Sequence, residues 1–66
     1  MKIQMKKESQ GWYTYLGYDL EKPPFQQDWI LTYPLKDGQI MPETAAFPTK
    51  MAAVKAIAAD IEAKDD

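Results

Sequence analysis

The stretch that decides the fold is Phe47-Pro48-Thr49-Lys50-Met51-Ala52-Ala53-Val54-Lys55-Ala56-Ile57-Ala58-Ala59-Asp60-Ile61. It reads as one helix with its start signal written out. Thr49 suits the N-cap, where its hydroxyl accepts from a backbone N–H one turn on, and Pro48 restricts the approach from the N-terminal side. At about 100° per residue, Met51, Val54, Ile57, Ala58 and Ile61 fall on one arc roughly 120° wide, as a core-facing stripe requires. Lys55 and Glu62 flank the stripe, and Asp60 points away from it. Ala52, Ala56, Ala59 and Ala63 form a second, separate line. Alanine fills exposed helix positions because it costs least there; the same line also offers a smooth seam for another helix. The helix is expected over residues 49–63.

Everything before it reads as strand and turn. Residues 2–6 alternate lysine or glutamine with Ile3 and Met5, a short half-buried strand if ordered. Lys7-Glu8-Ser9-Gln10-Gly11 is polar and breaks that pattern. Trp12-Tyr13-Thr14-Tyr15-Leu16-Gly17-Tyr18 is dense in aromatic and β-branched types and reads as the strongest strand. Residues 19–27 read as a loop stiffened by Pro23-Pro24, and residues 28–35 as a second strong strand. Pro34 cannot donate to a ladder, so that strand ends at an edge or leaves the sheet there. Lys36-Asp37-Gly38 is a tight turn, returning through Gln39-Ile40-Met41 as a further strand. Pro42-Glu43-Thr44 ends it, and Ala45-Ala46-Phe47 leads into the helix.

The expected fold is therefore α+β: a small three- to four-stranded, mainly antiparallel sheet with one C-terminal helix packed on one face. Residues 1–66 form a single small domain, with 1–10 either a short first strand or partly disordered, and 64–66 a frayed tail. Alternation puts Trp29, Leu31, Tyr33 and Leu35 on one face of their strand, the face expected under the helix, and Trp29, Leu31 and Tyr33 join Val54, Ile57 and Ile61 as the expected core. If Trp12, Leu16 and Tyr18 turn inward, Tyr13 and Tyr15 remain on the open face with Ile30. Clustered exposed tyrosines favour binding, since each presents a large rigid body with a polar tip.

The chain has 66 residues, a net charge of −2, and neither cysteine nor histidine. Disulfides and the usual zinc and copper ligands are excluded together. A domain this small then relies on tight aromatic packing or on self-association, so a homodimer is a candidate. The N-terminal residues alternate in polarity, and no apolar run approaches the ~20 residues needed to cross a bilayer. A cytoplasmic protein with no membrane partner is expected.

Catalytic chemistry finds little to work with. Histidine, the commonest general base near neutral pH, is absent, as is a cysteine nucleophile. Ser9 has no histidine to activate it, and the glycines are too isolated to cradle phosphate. Asp19, Glu21 and Asp28 border one loop but match no calcium-binding spacing, and acidic loop residues are usually solvated turn formers. No cofactor, no metal site and no enzyme activity are expected.

Two kinds of function remain. The first is a non-catalytic protein-interaction module, a small accessory or phage-type regulator, binding through Tyr13, Tyr15 and Ile30 or through Ala52, Ala56 and Ala59. The second rests on a resemblance. Gly11-Trp12-Tyr13, the strand and hairpin that follow, and Phe47-Pro48-Thr49-Lys50 opening a helix are similar to the arm-site-binding domain of tyrosine recombinases, over about residues 11–63. That resemblance implies a three-stranded sheet inserted into a DNA groove with basic side chains. Here residues 12–18 and 28–35 carry no lysine or arginine, every basic residue is a lysine, and the lysines are dispersed. A nucleic-acid footprint normally clusters positive charge, so this class starts at a disadvantage.

Overall fold

The computed structural model describes residues 2–64. Five short strands, β1 (Lys6–Ser9), β2 (Trp12–Tyr15), β3 (Tyr18–Glu21), β4 (Trp29–Thr32) and β5 (Thr44–Phe47), precede one helix, α1 (Lys50–Lys64). Each strand pairs antiparallel with the next, and their spatial order is their chain order. The helix covers one face over β4 and β5. This is the α+β class that the sequence points to, with more strands than expected.

The extra strand comes from the aromatic run. Residues 12–18 are not one strand: Leu16 and Gly17 have φ of 46° and 87° and form a two-residue turn between β2 and β3. Two successive positive φ values are what such a turn demands, because its twist then matches the strands. Leucine rarely adopts that conformation, so Leu16-Gly17 does not announce the turn. Residues 19–21, expected in a loop, are the body of β3.

The turn also reverses the faces. Tyr15 lies opposite Tyr18 and Tyr13 opposite Leu20, and directly opposed residues share a face. Tyr13 and Tyr15 therefore join Tyr18, Leu20 and Leu31 on the helix side, contrary to the expected open-face position. Trp12 goes to the open face with Thr14, Asp19 and Glu21, and Leu16 is 73% exposed at the turn. Ile30 lies in the same open-face row, opposite Glu21 and Ala46.

The ends of the sheet differ as well. The first strand begins at Lys6, where the expected one stops, and a bulge interrupts it between Lys7 and Ser9. Ile3 and Met5, ahead of it, pack against the core. The turn after residue 35 forms, with Gly38 at φ 85° and the Gln39 N–H donating to the Lys36 carbonyl at 3.0 Å. It opens no strand, however: Ile40 and Met41 are 94% and 77% exposed, and Pro42 ends any extension. The last strand is instead Thr44–Phe47, where pairing with β4 overrides the weak strand preference of two alanines.

The helix starts as expected. Thr49 Oγ1 accepts from the Ala52 N–H at 3.1 Å, a side-chain cap for one of the orphan donors of the first turn. Its rotation differs. Ala53 and Ile57 are the buried positions, while Met51 is 68% exposed and Val54 and Ile61 are half-buried. The inward face is thus turned by about 80° from the expected stripe, at 100° per residue. Ala53 is small enough to let the helix settle closely on the sheet. The core comprises Tyr18, Leu20, Leu31, Ala53 and Ile57, with Trp29, Tyr33, Phe47 and Ile61 packed around it. Asp65 and Asp66 of the expected frayed tail lie outside the described residues; Lys64 is helical.

Candidate interaction surfaces

The helix side of the sheet is the more ordered chemically. Tyr13 meets Trp29 in a tilted pair, with centroids 6.0 Å apart, and the Lys50 ammonium lies 3.7 Å from the Tyr13 ring centre. That cation–π contact ties the first turn of the helix to β2. Tyr13 and Tyr15 are half-buried and pack against the core.

At the other end of the helix, the Tyr18 hydroxyl donates to the Asp60 carboxylate at 2.5 Å, and Lys64 sits 3.2 Å from the same carboxylate. Asp60, expected to point away, reaches the sheet because the helix is rotated. The Tyr18 hydrogen bond holds the Asp60 carboxyl below its ordinary range, helped by Lys64 and opposed by partial burial. Burial pushes the Tyr18 hydroxyl well above its ordinary value, and the bond to Asp60 pushes it further. Tyr33 is raised too, first by burial and then by the charges of Asp60 and Glu43. Tyr18 and Lys64 thus both engage the one Asp60 carboxylate. It is a structural clasp.

The open face carries Trp12, Thr14, Asp19, Glu21, Ile30, Thr32, Thr44 and Ala46. Trp12 Nε1 donates to Asp19 at 3.0 Å, and Thr14 donates to Glu8 at 2.7 Å. A groove of about 530 Å³ opens at one end, between the β1–β2 turn and residues 21–24, with Trp12 in its wall. Its carboxylate, Glu21, has no second acidic residue beside it in the lining. Among the described residues, no group of three or more histidine, cysteine, aspartate or glutamate side chains converges as a metal site would need.

The opposite end of the sheet holds the β2–β3 turn and the connection from β4 to β5. Gly17 packs close to Pro34, where an added Cβ would lie 3.4 Å from the proline ring. Leu16, Leu35, Ile40 and Met41 all stand exposed at this end. The sequence pattern puts Ile40 and Met41 in a strand, Leu35 on the face under the helix and Leu16 inward with Trp12; Leu35 is instead exposed because the chain leaves the sheet after Thr32.

The candidate alanines lie on one flank of the helix. Lys50 projects from the opposite flank to Tyr13 of β2; at about 100° per residue, Ala52, Ala56, Ala59 and Ala63 then point toward the outer edge of β5. Ala52 and Ala56 are half-buried, and Ala59 and Ala63 are exposed. Among the described residues no helix is long and apolar enough to cross a membrane. No family model, no curated protein and no solved structure matches this chain.

Proposed function

We propose that this chain is a non-catalytic protein-interaction module that meets a protein partner through the end of the sheet bearing Leu16, Leu35, Ile40 and Met41. The observation behind this reading is their exposure, from 58% at Leu35 to 94% at Ile40, on a chain of 66 residues. Exposed apolar residues are ordinary when scattered, but several at one end are the usual mark of a contact surface. The open sheet face, where the recombinase resemblance would put basic side chains, carries Glu8, Asp19 and Glu21 against Lys6, and no observation favours DNA.

Capture from the native host tests the reading. Wild type and the double variant Ile40→Ser, Met41→Ser are compared at equal loading. Both sites are exposed, so the melting temperature should not change. A protein retained by wild type in raised salt and lost by the double variant is the expected result. Salt tolerance follows because the contact is apolar rather than a set of phosphate pairs. Equal retention by both chains would overturn the assignment of this end.

A further inference from the structure

The two edges of the sheet are unlike. The edge at β1 carries Lys6, Lys7 and Glu8 and a bulge, the usual devices that stop a strand from pairing further. The edge at β5 is Thr44-Ala45-Ala46-Phe47, with no charge and no bulge.

Its backbone groups can be assigned. The Tyr33 N–H donates to the Glu43 carbonyl at 2.9 Å, which makes that a hydrogen-bonded pair. Antiparallel ladders alternate, so Leu31 with Ala45 and Trp29 with Phe47 are hydrogen-bonded pairs as well. Thr32 with Thr44 and Ile30 with Ala46 are not, and the N–H and C=O of Thr44 and Ala46 point out of the sheet. Among the described residues neither has a partner for them in the chain.

We infer that this edge pairs with the same edge of a second copy, giving a two-fold dimer with one continuous sheet. Pairing β5 with itself antiparallel, about an axis through Ala45, sets Thr44 opposite Ala46 of the partner, and both pairs exchange both backbone bonds. A register centred on Ala46 would oppose Thr44 to Pro48, which has no N–H. The axis through Ala45 also keeps both helices on one side, since opposed residues share a face.

The helix supports a second copy over a free peptide strand. Because α1 lies over β4 and β5, the two helices would run antiparallel about two strand spacings apart, roughly 9.6 Å. That is the distance at which helices pack, about 8–10 Å, and the short end of the range calls for small side chains. The flank facing the partner helix is the one with Ala52, Ala56, Ala59 and Ala63. A peptide added to the edge would leave that flank bare. The dimer is independent of the apolar end proposed above, and its test touches none of those residues.

Sedimentation across concentration decides it, with Ala46→Pro and Ala59→Glu beside wild type. Proline at 46 removes an N–H that the fold does not use, and Ala59 is exposed, so both variants should keep the native core shifts of Leu20, Leu31 and Ile57. Wild type should run at twice the chain mass of 7.6 kDa, and both variants at the chain mass. Amide exchange at Thr44 and Ala46 gives a readout without mutation: it should slow on the order of tenfold or more as wild type associates. A wild type that stays monomeric at millimolar concentration overturns the inference. So does a dimer in which Thr44 and Ala46 exchange freely, or one that a folded Ala59→Glu chain still forms.

Discussion

Tyr18 and Asp60 are 42 residues apart in the chain, and their hydrogen bond joins β3 to the C-terminal half of the helix. Its contribution depends on pH at both ends of the scale. Asp60 has a folded pKa below its unfolded value near 3.9, so its contribution is complete above that value. It is lost as pH falls through the folded pKa. Tyr18 is raised above its unfolded value near 10, so its contribution is complete below about 10 and lost as pH rises beyond it. Tyr18→Phe should cost about 1.5–3 kcal/mol at neutral pH, the worth of a hydrogen bond to a charged group, and should flatten the alkaline decline. Asp60→Asn should flatten the acid limb instead. Urea unfolding from pH 2 to 11 measures both, and an unchanged acid limb in Asp60→Asn would show that the clasp is not what titrates. None of this was legible beforehand, because Asp60 falls outside the apolar stripe and only the actual rotation of the helix brings it to Tyr18.

At the scale of the elements, the helix was readable and its orientation was not. Thr49 and Pro48 mark the start chemically, and the alanine-rich body has strong propensity with no internal breaker. The same alanines blur the inward face, because they suit a close contact and a solvated surface equally well. Ile57 belongs to both the expected and the actual stripe. Ile57→Ala should therefore cost about 2–5 kcal/mol, whereas Met51→Ser should stay within about 0.5 kcal/mol. Equilibrium unfolding of the two variants checks the rotation, and the reverse order of effects would restore the original stripe. The strands depart from the sequence pattern at residues 2–9, 16–21, 39–41 and 44–47, and two of these departures have a plain local reason. Leu16-Gly17 hides a turn inside an aromatic run, and that one miss inverted the faces of Tyr13 and Tyr15. Ala45-Ala46 hides a strand, since nothing local distinguishes it from a helix lead-in until β4 is present to pair with it.

For the molecule as a whole, the sheet is wider than one helix can cover, and its uncovered parts account for the candidate surfaces. The open face carries side-chain hydrogen bonds from Trp12 to Asp19 and from Thr14 to Glu8, and the apolar end and the β5 edge are the two surfaces proposed above for contact with another chain. The strand order β1-β2-β3-β4-β5 has a kinetic consequence too. Every strand contacts its neighbour in the chain, so loop closures are short, the contact order is low and folding should be fast for a sheet protein. Pairing can spread from a two-residue turn such as Leu16-Gly17 before the helix docks. Gly17→Ala, which strains a φ of 87° and crowds Pro34, should then act mainly by slowing refolding, while Ile57→Ala should act mainly by speeding unfolding. Stopped-flow measurements of the two arms for each variant report the order of events directly: a folding arm untouched by Gly17→Ala would mean that the helix and its core contacts come first.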